Sequence, residues 1–401
     1  MELKAKEPKV RFGEFTGDWE ECKLEDILDE FSSKSRIENE HVVLSSTNSG
    51  MEIRGGRVSG NSNLGYKIIE DGDLVLSPQN LWLGNININN IGVGLVSPSY
   101  KTFKIKNINS GFLGSQLRMP RMLEAYKNSS TQGASVVRRN LELDSFYQIT
   151  INTPSKNEQD RINTLFKNIN KTIEFKENQL EQLKESKKTL LSKMFPKEGA
   201  DRPEIRFAGF TDPWEQRKLG DISDKVKEKN KTGEFTETLT NSAEHGIINQ
   251  RDFFDKDISN AKNLDGYYVV KNDDFVYNPR ISNFAPVGPI KRNKLGRTGV
   301  MSPLYYVFRT HDIDKEYFEK YFDTVYWHRF MELNGDSGAR ADRFAIKDSV
   351  FVDMPIPYPN MDEQQKIGTF FKQLDDTIDL HQQELENLKA LKKTLLNLMF
   401  V

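Results

Sequence analysis

Two stretches of the chain hold many basic residues and almost no acidic ones. Residues 101–140 contain eight lysines and arginines against the single acid Glu124, and residues 280–310 contain six with no acid. Lysine and arginine neutralise phosphates, and arginine also recognises guanine through two parallel hydrogen bonds. Both stretches therefore predict a nucleic-acid surface, although a basic run alone is also typical of a solvated face.

A short motif occurs at the end of the first stretch and again after the second. GASVVRRNL at residues 133–141 and GARADRFAI at residues 338–346 each place arginines after a Gly-Ala turn. Arginines on a loop can clamp phosphates or contact base edges. The residues that we predict to bind DNA are Lys101, Lys104, Arg118, Arg121, Ser135, Arg138, Arg139, Arg280, Lys291, Arg292, Lys294, Arg297, Arg340 and Arg343.

Loop asparagines are a weaker signal for base recognition. Asn80, Asn85 and Asn283 lie in predicted loops, where an asparagine amide can pair with adenine. Most loop asparagines instead form turns. We keep both interpretations open.

Residue patterns for catalysis and for metal binding are absent from the sequence. The five histidines show no metal-ligand spacing, and the Gly-rich run at residues 60–67 lacks the Gly-Lys-Ser/Thr of a phosphate-binding loop. Residues 277–280, Tyr-Asn-Pro-Arg, depart from the Asn-Pro-Pro-aromatic motif of adenine methyltransferases. We therefore predict no catalytic residue and no metal site, so any catalysis would belong to a partner.

Composition limits the class of protein further. The net charge is −2, so the chain is not basic all over, and the single cysteine, Cys22, excludes a disulfide framework. The sequence contains no apolar run long enough to span a membrane and no apolar N-terminal segment. We expect a cytoplasmic protein that does not enter membranes.

The elements that position these residues occur twice. Residues 8–27 and 203–222 are identical at eleven of twenty positions, and residues 158–195 and 363–400 are identical at nineteen of thirty-eight. The segments between these blocks match poorly. The chain therefore consists of a duplicated scaffold that carries two different inserts.

The second repeated block has the period of a coiled coil. Apolar residues recur at heptad spacing through both copies. The predicted seam consists of Ile162, Phe166, Ile169, Ile173, Leu180, Leu183, Leu190 and Met194 in the first copy and Ile367, Phe371, Leu374, Ile378, Leu385, Leu388, Leu395 and Met399 in the second. Two copies of one unit close through a pseudo-two-fold axis, so we predict that the helices pack antiparallel.

Polar residues interrupt both seams at matching positions. Lys176 matches His381, and Lys187 matches Lys392. Long polar side chains can extend out of a seam to reach water, or they can fix its register. Beyond one seam lie further apolar residues, which we expect to contact partner helices. These are Leu165, Leu191, Phe370, Phe371 and Leu396.

The regions outside the helices contain short alternating apolar runs separated by Gly, Asn and Pro, which predict strands and turns. We predict an α+β fold with a pseudo-two-fold internal repeat, in which two globular domains are joined by two long antiparallel coiled-coil helices. The predicted boundaries are 1–156 for the first domain, 157–196 for the first helix, 197–361 for the linker and second domain, and 362–401 for the second helix.

The ordered set of motifs resembles the DNA specificity subunit of type I restriction–modification enzymes. The match rests on Glu-Gln-x-x-Ile at residues 158–162 and 363–367, and on Leu-Lys-x-x-Lys-Lys-Thr-Leu-Leu at residues 183–191 and 388–396. The openings that contain Trp19 and Trp214 also fit. The resemblance covers essentially the whole chain.

The resemblance implies two target-recognition domains, each of which recognises one half of a bipartite site in double-stranded DNA. It implies that the helices set the gap between the halves and dock two adenine-methyltransferase (modification) subunits and two motor–nuclease (restriction) subunits. S-adenosylmethionine, ATP and Mg²⁺ are then expected in those partners, with no cofactor bound by this chain. The alternative is a duplicated coiled-coil scaffold with protein-binding heads.

Overall fold

The computed structural model describes residues 7–55, 62–133, 138–253, 264–336 and 342–401. Two of the predicted DNA-binding residues, Ser135 and Arg340, lie outside this part of the chain. The described chain forms two compact units, which are treated separately below. Unit 1 contains Met1–Glu177 and Gln383–Val401, and unit 2 contains Asn178–Gln382.

Among the described residues, the elements that begin in unit 1 are twelve strands, β1–β12, and five α-helices, α1–α5. The strands are β1 Glu20–Lys23, β2 Leu28–Phe31, β3 Leu44–Ser46, β4 Met51–Ile53, β5 Lys67–Ile69, β6 Leu74–Leu76, β7 Ile86–Ile88, β8 Gly94–Val96, β9 Lys101–Ile105, β10 Ser130–Gln132, β11 Arg139–Leu141 and β12 Thr150–Thr153. The helices are α1 Leu24–Ile27, α2 Ser110–Leu117, α3 Pro120–Asn128, α4 Leu143–Tyr147 and α5 Lys156–Met194, with a 3-10 turn at Leu81–Leu83.

In the part of unit 2 that the structure describes, the elements that begin there are ten strands, β13–β22, and five α-helices, α6–α10. The strands are β13 Glu215–Lys218, β14 Ser223–Lys225, β15 Leu239–Ser242, β16 Gly246–Asn249, β17 Tyr268–Val270, β18 Phe275–Tyr277, β19 Ile290–Arg292, β20 Gly299–Met301, β21 Tyr306–Thr310 and β22 Pro355–Tyr358. The helices are α6 Gln250–Phe253, α7 Lys315–Phe322, α8 His328–Asn334, α9 Asp348–Phe351 and α10 Met361–Met399, with a 3-10 turn at Leu219–Asp221.

Strand pairing is the same in both units although the sequences of the sheets differ. A four-stranded antiparallel sheet has the order β2-β9-β6-β7 in unit 1 and β14-β21-β18-β19 in unit 2. Its central pairs have equivalent registers, with Leu74 opposite Phe103 and Phe275 opposite Phe308. All four side chains are fully buried. A buried strand requires apolar side chains of fitting volume rather than particular residues, so pairing persists while sequence diverges.

Two helices of 39 residues, α5 and α10, confirm the predicted coiled-coil pattern. All the predicted seam residues are buried or half-buried. In unit 1, Lys176 Nζ lies 2.7 Å from Glu384 Oε2, and Lys389 lies 2.9 Å from Glu177. The Phe166 and Phe400 rings are 5.9 Å apart, so residue numbers rise along α5 as they fall along α10. The two helices are therefore antiparallel within this unit.

The same arrangement holds in unit 2. Lys187 Nζ lies 2.5 Å from Asp375 Oδ1, and the rings of Phe195 and Phe371 are 6.5 Å apart. The lysines that interrupt the α5 seam thus pair with carboxylates of α10, which favours a role in register. Lys392, which interrupts the α10 seam, has different surroundings from these two lysines. Burial lowers its pKa, and the nearby charge of Arg118 lowers it further.

The apolar residues beyond the seam pack on the cores of their own units, and contact of the half-buried ones with partner helices stays a prediction. Phe371 is fully buried and Leu191 is buried in the core of unit 2, where Phe370 packs against them. Leu165 and Leu396 pack on a second cluster in unit 1. A single sequence could not distinguish these contacts from contacts with a partner.

A buried ion pair holds the start of each long helix. Arg11 donates two hydrogen bonds of 2.7 Å to the carboxylate of Glu158, and Arg206 donates bonds of 2.6 and 2.8 Å to Glu363. Glu158 is 1% exposed and Glu363 is fully buried. The hydrogen bonds raise the pKa of both arginines. We call this arrangement the Arg–Glu anchor.

The glutamine that follows each anchor glutamate holds a neighbouring segment. Gln159 Oε1 accepts a hydrogen bond from the backbone N–H of Asn109, the N-cap of α2, and its Nε2 donates to the carbonyl of Pro154. Gln364 makes the same bonds with Asp314, the N-cap of α7, and with Pro359. The repeated Glu-Gln motif therefore ties three segments of each unit together.

An aromatic side chain from the end of the other long helix completes each core. The ring of Phe400, after α10, stacks on Phe112 at 5.3 Å in unit 1. The ring of Phe195, after α5, stacks on Tyr317 at 5.3 Å in unit 2. Because each helix begins in one unit and ends in the core of the other unit, both units depend on both helices.

Neutralising the anchor should destabilise unit 2 strongly. In Glu363→Gln the Arg206 guanidinium keeps its half-buried position without a counter-charge, so we expect a loss of about 3 kcal/mol in the free energy of unfolding. Urea denaturation followed by circular dichroism would measure the loss.

The matched control is Asp376→Asn, which breaks the exposed Lys372–Asp376 pair on α10. We expect its effect to stay below about 0.5 kcal/mol. Equal effects of the two substitutions would contradict the anchor.

Candidate nucleic-acid interface

Most of the predicted DNA-binding residues on strands form ion pairs in the structure. In unit 1, Lys101 on β9 lies 2.7 Å from Glu30. Lys104 lies 2.7 Å from Glu70 and 2.8 Å from Asp73. The basic run thus acquires acidic neighbours from elsewhere in the chain, and the folded surface is less positive there than the sequence indicates.

The second basic run shows the same effect. Lys291 lies 2.9 Å from Asp323, and Arg297 lies 2.8 Å from Glu237. Lys294 contacts Glu319 at 3.2 Å. Contact of these three residues with DNA stays a prediction.

Arg292 lies in the interior, contrary to the surface position expected from the basic run. Its side chain is 5% exposed, and its guanidinium lies 2.5 Å from Glu316 and 2.7 Å from Glu319. Burial acts to lower its pKa, but the carboxylates outweigh that effect and the pKa is raised. The physical reason is that Arg292 joins β19 to α7, which leaves its donors occupied by carboxylates.

Three arginines of unit 1 differ in their surroundings. Arg139 donates to the side chain and carbonyl of Ser130 at 2.8 Å each, so its guanidinium closes the β10–β11 hairpin. Arg118 is exposed and donates to the carbonyl of Asn48. Arg121 is half-buried, and burial lowers its pKa.

The repeated arginine motif forms a hairpin at the same place in each unit. Thr131 pairs with Asn140 in unit 1, and Asp336 pairs with Ala345 in unit 2, 205 positions later in both strands. The Gly-Ala turns themselves lie largely outside the described residues. Arg138, on the hairpin of unit 1, is exposed.

Each hairpin lies against the loop that follows the central strand of the sheet. In unit 1, Arg139 donates its backbone N–H to the carbonyl of Gln79 at 3.2 Å. In unit 2, Phe344 donates to Pro279 at 2.7 Å and Ile281 donates to Asp342 at 3.1 Å. The structure therefore brings together two loops that are about 60 residues apart in sequence.

This contact places two arginines directly opposite each other in unit 2. Arg280 and Arg343 form an antiparallel bridge, so both side chains lie on one face of the paired segments. Like charges in this position repel each other, and neither arginine forms an ion pair with a carboxylate of the described residues. An anion between them would relieve the repulsion. We call these two residues the arginine pair.

The functional signal that our sequence analysis missed is Phe284, which is 72% exposed in the same loop as Arg280. The residues around it give no sign of exposure, because a phenylalanine between asparagine and alanine can equally lie in a core. Among the described residues, no group of three or more acidic, histidine or cysteine side chains could hold a metal ion. No helix in that part of the chain is long and apolar enough to cross a membrane.

Comparison with known proteins gives consistent results. Residues 211–390 match the family model of the type I restriction modification DNA specificity domain. The MjaVIII type I restriction enzyme specificity subunit of Methanocaldococcus jannaschii is 23% identical over 300 residues, which cover 70% of this chain and 67% of that protein.

Two solved structures share the fold. The type I restriction–modification S subunit from M. genitalium is 11% identical, with a TM-score of 0.60, and the alignment covers 98% of this chain and 99% of that one. A chain from a type I R-M system, studied for its complex assembly and conformational transition, is 16% identical with a TM-score of 0.51, over 94% and 96% of the two chains. These likenesses establish the α+β fold with two long helices.

Removing the arginine pair should weaken DNA binding in a salt-dependent way. Each phosphate contact contributes about one unit to the slope of log K against log salt, so Arg280→Ala with Arg343→Ala should lower the slope by about two. Titration of duplex DNA by fluorescence anisotropy at several salt concentrations would measure it.

Lys218→Ala is the control, because Lys218 is exposed and pairs with Asp353 on the surface of unit 2. We expect its slope to equal that of the unchanged chain. If the double variant kept the slope of the unchanged chain, the arginine pair would not contact DNA phosphates.

Proposed function

We propose that this chain, which belongs to the type I restriction modification DNA specificity family, recognises the target sequence for a type I restriction–modification complex. The observation that carries the proposal is the repetition of one topology around two unlike loop surfaces. Arg280 opposes Arg343 in unit 2, whereas Gln79 and Arg138 occupy the corresponding positions in unit 1. Two unlike surfaces on one scaffold suit two unlike half-sites.

In this proposal each unit supplies one target-recognition domain, 1–156 or 197–361, and the two half-sites are separated by a fixed gap. The long helices set that gap. The antiparallel ion pairs Lys176–Glu384 and Lys187–Asp375 support this role, because each one fixes which turns of α5 and α10 face each other.

Two modification subunits and two motor–nuclease subunits are the proposed partners. Support comes from large apolar side chains that remain exposed on the long helices. Phe175 is 60% and Leu391 is 49% exposed in unit 1, and Leu380 is 56% exposed in unit 2. Exposed apolar residues on a helix are typical of a surface that packs against another helix.

The proposed partners supply the chemistry. S-adenosylmethionine would be bound by the modification subunits, and ATP with Mg²⁺ by the motor–nuclease subunits. The role of this chain is to place the target adenines, and its site of action is DNA in the cytosol of a bacterium or archaeon.

A scaffold with protein-binding heads is the second candidate, and the exposed apolar residues of the helices favour it as well. The two candidates differ in their dependence on DNA sequence. A scaffold would show neither a selected DNA sequence nor an affinity for duplex DNA that falls steeply with salt.

Lengthening the helices should lengthen the gap without changing the half-sites. One heptad inserted after Glu181 in α5 and another after Gln382 in α10 keeps the seam in register and adds roughly 10 Å, which is about three base-pair steps. Selection of bound duplexes from a random library by the assembled complex would reveal the gap.

The control places the same seven residues after Gly199, in the exposed turn that follows α5. We expect this insertion to leave the gap unchanged. If the variant with lengthened helices kept the original gap, the helices would not set it. If the complexes of the unchanged chain and of both variants selected no sequence, the proposed function itself would be wrong.

A further inference from the structure

Phe284 is the most exposed large apolar side chain in the described part of the chain, at 72%. Single exposed apolar residues are common on protein surfaces and carry no meaning alone. The surroundings of Phe284, however, differ from those of an ordinary surface residue in two independent ways. One is the hydrogen bonding and packing of its loop, and the other is the charge beside it.

The loop holds Phe284 at the tip of a tight turn. Ser282 and Ala285 exchange two backbone hydrogen bonds, of 3.0 and 3.1 Å, so that only Asn283 and Phe284 project between them. Ala285 is 6% exposed and Val287 is 2% exposed. The base of the tip is therefore fixed in the core.

A glycine makes this arrangement possible. Gly288 has a φ of +85°, and a Cβ there would lie 2.1 Å from the carbonyl oxygen of Asn278. Tyr277 also donates its hydroxyl to the carbonyl of Val287 at 2.9 Å. The base of the loop is therefore closely packed against the end of β18. We call residues 282–285 the Phe284 tip.

Beside the tip lies the arginine pair. Ile281, adjacent to the tip, bonds to Asp342, and Arg280 opposes Arg343 in the same paired segments. A ligand that contacts both this aromatic side chain and the two cations would combine flat apolar faces with negative charge. Stacked bases flanked by phosphates have that combination.

A protein partner suits this surface less well. Interfaces between proteins have an apolar core from which charge is depleted. Near the tip the exposed apolar neighbour is Val325, which lines with Phe284 a small cavity of about 150 Å³. The arginine pair on the adjoining segments would place repelling cations beside that core. Charge complementarity therefore favours nucleic acid.

Unit 1 has no such tip among its described residues. After its own central strand, Leu81–Leu83 form a 3-10 turn, and Leu81 is buried at 2% exposure. Leu83 is 37% exposed but is not aromatic, and the aromatic Trp82 beside it is half-buried and packs against the core of unit 1. The tip thus belongs to the surface of unit 2 alone.

We propose that Phe284 is a stacking wedge, whose ring inserts against the bases of the half-site that unit 2 recognises while the arginine pair holds the flanking phosphates. This inference rests on the proposed function. It assigns to unit 2 a means of distorting or gripping its half-site that unit 1 lacks. It also makes base-step flexibility in that half-site part of the recognition.

The test uses the full chain in its complex with modification subunits and the duplex obtained by library selection. Phe284→Ala and Phe284→Leu should both weaken binding about tenfold, since stacking on an aromatic ring contributes at this level. Phe284→Trp should bind as well as the unchanged chain because it keeps a ring. Leu83→Ala, in unit 1, is the matched control and should have no effect.

A spectroscopic measurement identifies the stacking directly. With 2-aminopurine placed in turn at each adenine of the half-sites, the unchanged complex and Phe284→Trp should alter its fluorescence at one step of the half-site of unit 2. Phe284→Ala and Phe284→Leu should not. The half-site of unit 1 should respond equally in all four proteins.

Three results would overturn the wedge alone, and a fourth would overturn the proposed function with it. Phe284→Leu that binds like the unchanged chain would mean that apolar bulk suffices. Phe284→Ala that binds DNA normally but loses modification subunits on size-exclusion chromatography would mark a protein contact. If the unchanged complex bound its target sequence but gave no 2-aminopurine response, the stacking role of Phe284 would be wrong and the proposed function would stand. If the complex showed no sequence-specific binding, both would be wrong.

Discussion

The fold depends on a carboxylate buried at the first turn of each long helix. A buried glutamate is costly unless a cation neutralises it, and Arg11 and Arg206 do so with paired hydrogen bonds. Each arginine lies about 150 residues before its glutamate, so the ion pair closes a whole unit. The next residue, Gln159 or Gln364, fixes an N-cap of a neighbouring helix. These contacts join the repeated sequence blocks, so they constrain the helices and leave the loops between the blocks free to diverge.

The antiparallel helices extend this constraint to the far end of each helix. Phe195 and Phe400 both follow a long helix, and each stacks in the unit where the other helix begins. Neither unit therefore has a complete core without both helices. This interdependence explains why the repeated sequence blocks are the helix, its Met-Phe end and the Arg-Phe…Trp opening. The segments between them carry the loops, and there only the strand pairing is shared.

Local periodicity predicted the helices and their seam, because an i, i+3, i+4, i+7 pattern such as Ile162–Phe166–Ile169 has one physical interpretation. Charge could not be predicted in the same way. Lys101 and Arg297 lie in basic runs, but each meets a carboxylate 60 to 71 residues away in the sequence. Glu30 reaches Lys101 through the pairing of β2 with β9, and Glu237 lies next to the bridge between Thr238 and Val300. Phe284 could not be separated from a core phenylalanine, since exposure depends on a loop whose geometry is fixed by Gly288 and the distant hairpin.

The central claim is that two unlike units on one chain recognise two unlike half-sites. Genome-wide mapping of N6-methyladenine, in host cells with and without this gene, tests it most directly. We expect a motif of two short specified halves around a fixed unspecified gap, present in the original cells and lost on deletion. A continuous motif that depends on the gene, or a split motif that persists without it, would show that the two units do not recognise separate half-sites.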